Sequence, residues 1–319
     1  MKNKLYLGID TSNYTTSAAL VTAAGEIIAN VKEPLPVAEG ARGLRQSDAL
    51  FAHVKNMPSV MERINALRGD AEVVAVGVST RPRNLDGSYM PCFLAGEASA
   101  SAVSAAANIP LYRFSHQCGH MMAALRSSGR YDLLTRPFAA YHISGGTTEL
   151  MLVSLDGDGF SAEHIGGTRD LNAGQVIDRI GVLLGLRFPC GPALEELALQ
   201  NTEKIPRRRI AREGCFVNLS GLENMASDLY RKSGDPRLVA AFVFECLGNA
   251  IADMTAACLE EHGDMPVLFA GGVMSNGILK KRLAGCCDAA FSEPALSADN
   301  AVGIALLAAR KHGQEPFLG

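Results

Sequence analysis

Apolar positions come in short bursts along this chain, separated by turn residues. Residues 5–9, Leu-Tyr-Leu-Gly-Ile, predict a strand and residues 17–22 its return. The turn between them is polar: Asp10-Thr11-Ser12-Asn13-Tyr14-Thr15-Thr16. Residues 47–65 carry a helical pattern that Pro58 should divide or kink. A Val-rich strand over 71–79 leads into the loop Thr80-Arg81-Pro82-Arg83-Asn84-Leu85-Asp86-Gly87. Residues 95–107 are Ala/Ser-rich and of helical length, Asn108 ends them, and 109–114 predict another strand. The plan then repeats, with a strand over 138–143, the small-residue tip Ser144-Gly145-Gly146-Thr147-Thr148 and a return strand over 149–154. A helix over 173–186 should place Val176, Ile180, Leu183 and Leu184 on one face, stopped by Pro189-Cys190-Gly191-Pro192. Asp235-Pro236 opens a long helix whose apolar face is Val239, Val243, Cys246, Ala250, Met254 and Ala257. A buried strand over 267–270 turns at Gly271-Gly272 into a helix with Leu279 and Leu283, and a last helix runs from about Asp299 to Lys311. Two hairpin-led halves predict a mixed α/β chain of two similar lobes, an internal duplication with a central cleft.

Composition narrows the class. The 319 residues suffice for about two lobes, and 48% hydrophobic against 20% charged residues excludes disorder for most of the chain. Net charge is −3, so whole-molecule charge does not steer nucleic acid, and any such contact must be a local basic patch. Trp is absent and aromatics are 6%, which argues against a base-stacking RNA platform. No apolar run approaches the ~18–20 residues of a membrane span, and the start shows no cleavable apolar segment. These features predict a cytoplasmic protein with no membrane partner. The eight cysteines form no Cys-x-x-Cys, as for buried thiols in a reducing compartment.

Four constellations could carry chemistry. The two hydroxyl- and glycine-rich tips would present N–H and O–H groups to phosphate, or are ordinary hairpin turns. His116 and His120, at i and i+4, would share a helix face suited to one metal, or are unrelated polar residues at a helix start. Cys118 falls about 200° around that helix, so a third ligand must come from elsewhere. Asp178, on an otherwise apolar helix, is a solvated face or a sugar-hydroxyl ligand. Lys204 to Arg212 holds five cations in nine residues, a solvated face or a phosphate contact for RNA. Gly-x-Ser-x-Gly and His-Glu-x-x-His are both absent.

Taken together, these motifs resemble those of the tRNA threonylcarbamoyl transferase family (TsaD-like, formerly called glycoproteases), nearly end to end. The family's Gly-Ile-Glu-Thr-Ser start corresponds to Gly8-Ile9-Asp10-Thr11-Ser12, and its His-x-x-x-His motif to His116 and His120. Its Ser-Gly-Gly-His-Thr loop corresponds to Ser144-Gly145-Gly146-Thr147-Thr148. Its Gly-Glu-x-x-Asp-Lys helix corresponds to Gly174-Gln175-Val176-Ile177-Asp178-Arg179, and its Pro-Gly-Gly-Pro turn and following Asp to Pro189–Pro192 and Glu195. Ser220-Gly221-Leu222, Gly271-Gly272-Val273 with Asn276, and Asp299-Asn300-Ala301 complete the match.

The resemblance implies a two-lobed actin-like/sugar-kinase ATPase fold with a duplicated mixed-sheet core, residues 1–115 plus about 300–319 in one lobe and 116–299 in the other. It implies a divalent metal, Fe or Zn, on His116, His120 and Asp299. It implies ATP or an acyl-adenylate held by Ser144, Gly145, Gly146, Thr147, Asp178, Gly191, Glu195, Gly271, Gly272 and Asn276. The implied reaction passes a threonylcarbamoyl group to a tRNA adenosine, with paralogous and small ATPase subunits as partners and a homodimer as a further assembly. Several positions depart from the pattern. The acidic pair after the first Thr-Ser is replaced by Tyr14 and Thr15, and Gly-Pro-Gly by Arg81-Pro82-Arg83. The loop His is Thr147 and the helix Glu is Gln175. Acids lost and arginines gained should favour a more anionic ligand, as in a divergent paralogue. The alternative reading is a non-catalytic nucleotide-binding partner subunit. A metallopeptidase would lack a water-activating Glu.

Overall fold

The computed structural model describes residues 3–12, 14–36, 44–84, 87–157, 159–206, 208–293, 296 and 301–313. Asn13, Leu85, Asp86, Arg207, Asp299 and Asn300, all part of the motifs above, lie outside the described residues. The chain divides into two compact units: residues 1–135, 155–161 and 295–319 form one, and 136–154 and 162–294 the other.

The first unit is built on strands β1 (Lys4–Asp10), β2 (Thr15–Thr22), β3 (Ile27–Pro34), β4 (Glu72–Arg81) and β5 (Leu111–Ser115), in the order β3-β2-β1-β4-β5. β1 pairs antiparallel with β2 and parallel with β4. Helices α1 (Gln46–Arg68) and α2 (Phe93–Ala107) cover the face carrying Leu5, Leu7 and Ile9, where Met57, Val60 and Ile64 are buried. Each such side chain contributes about 1.5–3 kcal/mol on burial. α1 runs through Pro58 without a break, because this packing outweighs the one backbone bond that proline removes. Helix α3 (His116–Ser128) follows β5.

The second unit repeats the plan. Strands β6 (Phe138–Ile143), β7 (Thr148–Asp156), β8 (Gly159–Thr168), β9 (Arg212–Glu213), β10 (Phe216–Val217), β11 (Val267–Ala270) and β12 (Ala289–Phe291) are ordered β12-β11-β6-β7-β8-β10-β9. β6 pairs antiparallel with β7 and parallel with β11, and β11 pairs parallel with β12. The order β8-β7-β6-β11-β12 therefore reproduces β3-β2-β1-β4-β5, the duplication that the paired hairpins predict. Helices α4 (Ala173–Leu183), α5 (Gly191–Leu199), α6 (Ser220–Ser233), α7 (Pro236–His262) and α8 (Gly277–Leu283) complete the unit. Stacked Tyr141, Phe269 and Phe291 rings, and a Thr255 hydroxyl that donates to Tyr141 Oη at 3.1 Å, tie the sheet to α7.

Four expectations are corrected. α7 is, by length and composition, apolar enough to cross a membrane, so an apolar run of that size does exist. Most of it is buried in the second core, on several sides of the helix rather than one face. Leu183, expected in the core, is 46% exposed at the end of α4. Asp10, expected as the first residue of a polar turn, ends a strand and is fully buried. The segment 116–135 groups with the first unit, not the second. Helix α9 (Val302–Lys311) explains this: Gly303 lies directly on the Gly119 carbonyl, so α3 and α9 touch backbone to backbone.

Candidate functional site

In the first unit the chemistry gathers where β1 ends and α3 begins. Ser115 caps α3 by accepting the Cys118 N–H, which places His116 and His120 on successive turns. Their ring centroids are 4.3 Å apart. His116 Nδ1 meets Asp10 Oδ1 at 3.0 Å. The Ser79 hydroxyl donates to the same oxygen, and Ser12 Oγ donates to Oδ2 at 2.6 Å. Burial alone would raise the Asp10 pKa; attraction to His116 and the three side-chain hydrogen bonds outweigh it and hold the group below the usual carboxylate range. The departing loop lies beside this cluster. Gln117 N donates to Pro82 O at 3.0 Å, Arg81 donates to Asn84, and Asn84 donates to the Phe160 carbonyl at 2.8 Å. Tyr14 is 43% exposed, and its carbonyl accepts from Leu35 N.

The donor set fits a divalent metal as far as it is described. Two imidazoles share one helix face, and the Nδ1 of His116 is committed to a carboxylate, so a metal would be taken through Nε2. Among the described residues no group of three ligating side chains converges, and Asp299 lies outside them.

In the second unit the candidate site is a cavity of about 500 Å³, lined by Gly145, Asp178, Gly191, Glu195, Gly272 and Asn276 among others. Gly145 belongs to the tip between β6 and β7, which Ser144 N closes by donating to Thr147 O at 2.8 Å. α4 abuts that tip so closely that a Cβ on Gly174 would lie 2.5 Å from Ser144 O. Asn172 and Gln175 form a reciprocal capping box at the start of α4. A Gln serves this box as well as a Glu, so the Glu-to-Gln departure leaves the local fold intact. Gly271, at φ 101°, has its Cα hydrogen against the Ile143 carbonyl, a position closed to any side chain.

The carboxylates here hold backbone. Asp178 Oδ1 accepts from Cys190 N at 2.8 Å, and Glu195 Oε1 from Gly277 N at 2.6 Å. Asn276 Oδ1 caps α8 by accepting from Leu279 N at 2.9 Å. Of the predicted ligands, Ser144, Gly146, Thr147 and Gly271 shape the tip and turn without lining the cavity. A larger depression of about 770 Å³ adjoins it, sharing Gly145, Asp178 and Phe188, whose ring is 74% exposed.

Sequence reasoning missed Asp170. Its carboxylate accepts from Leu171 N, Leu219 N and the N–H and hydroxyl of Ser220, pinning the Ser220-Gly221-Leu222 segment. Desolvation opposes ionisation, but these bonds bring its pKa down to about 2. No local spacing signals this, because the partners lie 49 and 50 residues on.

Comparisons with known proteins bear on the family and the fold. The TsaD family model, tRNA N6-adenosine threonylcarbamoyltransferase, matches residues 26–306. The tRNA N6-adenosine threonylcarbamoyltransferase of Streptococcus suis is 30% identical over 332 residues, covering all of this chain and 96% of the relative. That of Thermus thermophilus is 34% identical over 315 residues, covering 96% and 92%. Among solved structures, full-length HypF in a phosphate- and nucleotide-bound form superposes with a TM-score of 0.61 at 12% identity. The match covers 99% of this chain and only 47% of that longer one. A ROK family glucokinase from Streptomyces griseus gives 0.51 at 14% identity, covering 95% and 98%. These likenesses establish an actin-like ATPase/sugar-kinase fold. With a family match across most of its length and relatives aligned nearly end to end, the chain belongs to the tRNA N6-adenosine threonylcarbamoyltransferase family.

Proposed function

We propose that this chain is a metal- and adenine-nucleotide-binding transferase that passes a carbamoyl-type acyl group, threonylcarbamoyl foremost, from an adenylate to a tRNA adenosine. The observation that carries this reading is the glycine-lined cavity of the second unit, which gathers Gly145, Asp178, Gly191, Glu195, Gly272 and Asn276 in a chain of this family. ATP or an acyl-adenylate is its ligand. The backbone N–H of Gly145, the tip residue that lines the cavity, is the donor to the phosphate, as in small turns. Asp178 accepts a ribose or acyl hydroxyl through the oxygen not given to Cys190, and Asn276 meets the adenosine through its amide NH₂. His116 and His120, with Asp299, hold one divalent ion, Fe or Zn. Such an ion polarises the transferred carbonyl as a Lewis acid. Arg81, which donates to Asn84 in the loop whose Pro82 carbonyl accepts from Gln117 N, adds positive charge to the first unit. The protein acts in the cytoplasm, with tRNA, paralogous and small ATPase subunits as partners, and a homodimer as a further assembly.

The test supplies purified protein with threonylcarbamoyl-adenylate and unmodified tRNA, with the family's partner subunits added. Nucleoside mass spectrometry reads the product and calorimetry reads adenylate binding. Slow modification is the expected outcome, since Tyr14 and Thr15 stand where the family carries acids. Absence of adenylate binding would sink the reading. Adenylate binding without transfer to any acceptor would favour the second reading, a non-catalytic partner subunit, which those two replacements support.

A further inference from the structure

We infer that Asp10 is a positioning residue that fixes the tautomer and ring orientation of His116, so that Nε2 is the only atom His116 can offer to a metal. The inference rests on the proposed role of His116 and His120 as ligands. Three features of the cluster carry it. First, the carboxylate is fully buried at the end of β1, where an unsupported charge would be costly. Second, its acceptor capacity is directed. Ser79 from β4 and His116 from α3 both meet Oδ1, and Ser12 meets Oδ2. The carboxylate is therefore held from three chain segments and can neither rotate nor turn outward. Third, His116 is the first residue of α3, where the ring has no preceding helical turn to lean on. The ring is instead set by Asp10 at Nδ1, the His120 ring at 4.3 Å and the Phe93 ring at 6.2 Å.

A carboxylate on Nδ1 keeps the proton there and leaves the lone pair on Nε2. It also raises the basicity of that nitrogen, the general effect of a carboxylate behind a ligating histidine. Because Asp10 is consumed in this way, it does not itself serve as the third ligand. A purely structural role for the same contact would affect stability and leave metal binding alone.

The experiment uses the full chain and reads metal affinity by chelator competition with Zn²⁺, together with the visible absorption of the Co²⁺-loaded protein. Asp10→Asn should weaken Zn²⁺ binding about 10–100-fold and shift the Co²⁺ bands. Ser79→Ala, which only loosens the carboxylate, should act in the same direction but less, and it keeps the inference testable if Asp10→Asn fails to fold. Folded Asp10→Asn protein with Zn²⁺ affinity within about twofold of wild type and an unchanged Co²⁺ spectrum would overturn the inference. His116→Ala separates the two levels: wild-type metal binding in that variant would remove the metal reading itself, whereas its loss alongside an inert Asp10→Asn removes only the positioning role.

Discussion

The two units repeat one strand order but build their candidate sites by opposite means. The first uses buried side chains locked to one another: Asp10, Ser12, Ser79 and His116. The second uses backbone brought close by missing side chains, with carboxylates that tie loops rather than face one another. A side-chain cluster fixes direction and protonation, which suits a ligand of definite coordination. A glycine-built cavity offers N–H groups and room, which suits phosphate and a nucleoside. The duplication therefore supplied a scaffold, and local chemistry separated the roles.

The largest expected effect tests packing in the first unit. Gly303→Ala places a methyl group inside the Gly119 carbonyl, with backbone on both sides and nothing able to yield. Overpacking of this kind costs about 3 kcal/mol or more, read as a fall in thermal midpoint. In the second unit Gly146→Ala meets nothing within 4 Å and should leave stability nearly unchanged. Equal losses in the two variants would remove the contrast.

Acid should separate the units next. His53 in α1 is fully buried, pairs through Nδ1 with Thr16 Oγ1 at 2.8 Å, and has no partner for Nε2 among the described residues. Desolvation lowers its pKa to about 4, against a smaller opposing pull from Asp10. The unfolded chain binds this proton more readily, so the stability is complete above about pH 6.5 and is lost as pH falls towards 4. A shift of that size corresponds to about 3 kcal/mol. Asp170 in the second unit behaves as a depressed carboxylate: its contribution is complete above about pH 4 and is lost as pH falls through about 2. It is solvent-exposed, so screening reduces its contribution to about 1 kcal/mol. Urea unfolding across pH should show a His53-dependent decline between pH 6.5 and 4 that His53→Gln abolishes, and a later one that Asp170→Asn abolishes. A single decline unaffected by either substitution would refute the assignment.

The parts of the structure legible in the sequence are those written in local pattern. Both hairpins, the Asp235-Pro236 helix start and the i, i+4 histidines follow from spacing, and Asn108 does end its helix in the left-handed conformation. What stayed hidden depends on contacts far apart in the chain. Asp10 reads as one more polar turn residue until Ser79 and His116 close over it. The grouping of α3 with the first unit depends on Gly119 meeting Gly303. Asp178, Glu195 and Asn276 carry the right names for ligands, yet no periodicity reveals that each also holds a backbone N–H.

Asp178 sets the third effect. Asp178→Ala removes the acceptor for Cys190 N, which positions the turn leading to Gly191, together with the oxygen proposed to meet a ligand hydroxyl. Adenylate affinity should fall about tenfold, or about 1.4 kcal/mol. Asp178→Asn keeps an acceptor for Cys190 and should lose less. Calorimetry giving wild-type affinity for Asp178→Ala would show that the cavity binds through backbone alone, sharpening the contrast with the side-chain site of the first unit.

The smallest effect concerns the basic run. Arg208 and Arg209 are exposed and, with Arg282, line a cavity of about 390 Å³. Arg282 is partly committed, donating to Asn249 Oδ1 at 2.9 Å, and Glu245 and Asp253 line the same cavity. The acids offset part of the positive potential, so this patch should add salt-dependent attraction rather than recognition. Each arginine that meets an RNA phosphate steepens the dependence of log K on log salt by about 0.7–0.9. The double variant Arg208→Ala, Arg209→Ala should therefore lower the slope for tRNA by up to about 1.4–1.8 while leaving adenylate affinity unchanged. Among the described residues, the cavity proposed for the adenylate shares no lining residue with this one, so the two readouts are independent. An unchanged slope would return the run to a solvated face, and a loss of adenylate affinity would mean that the second unit's two cavities are coupled.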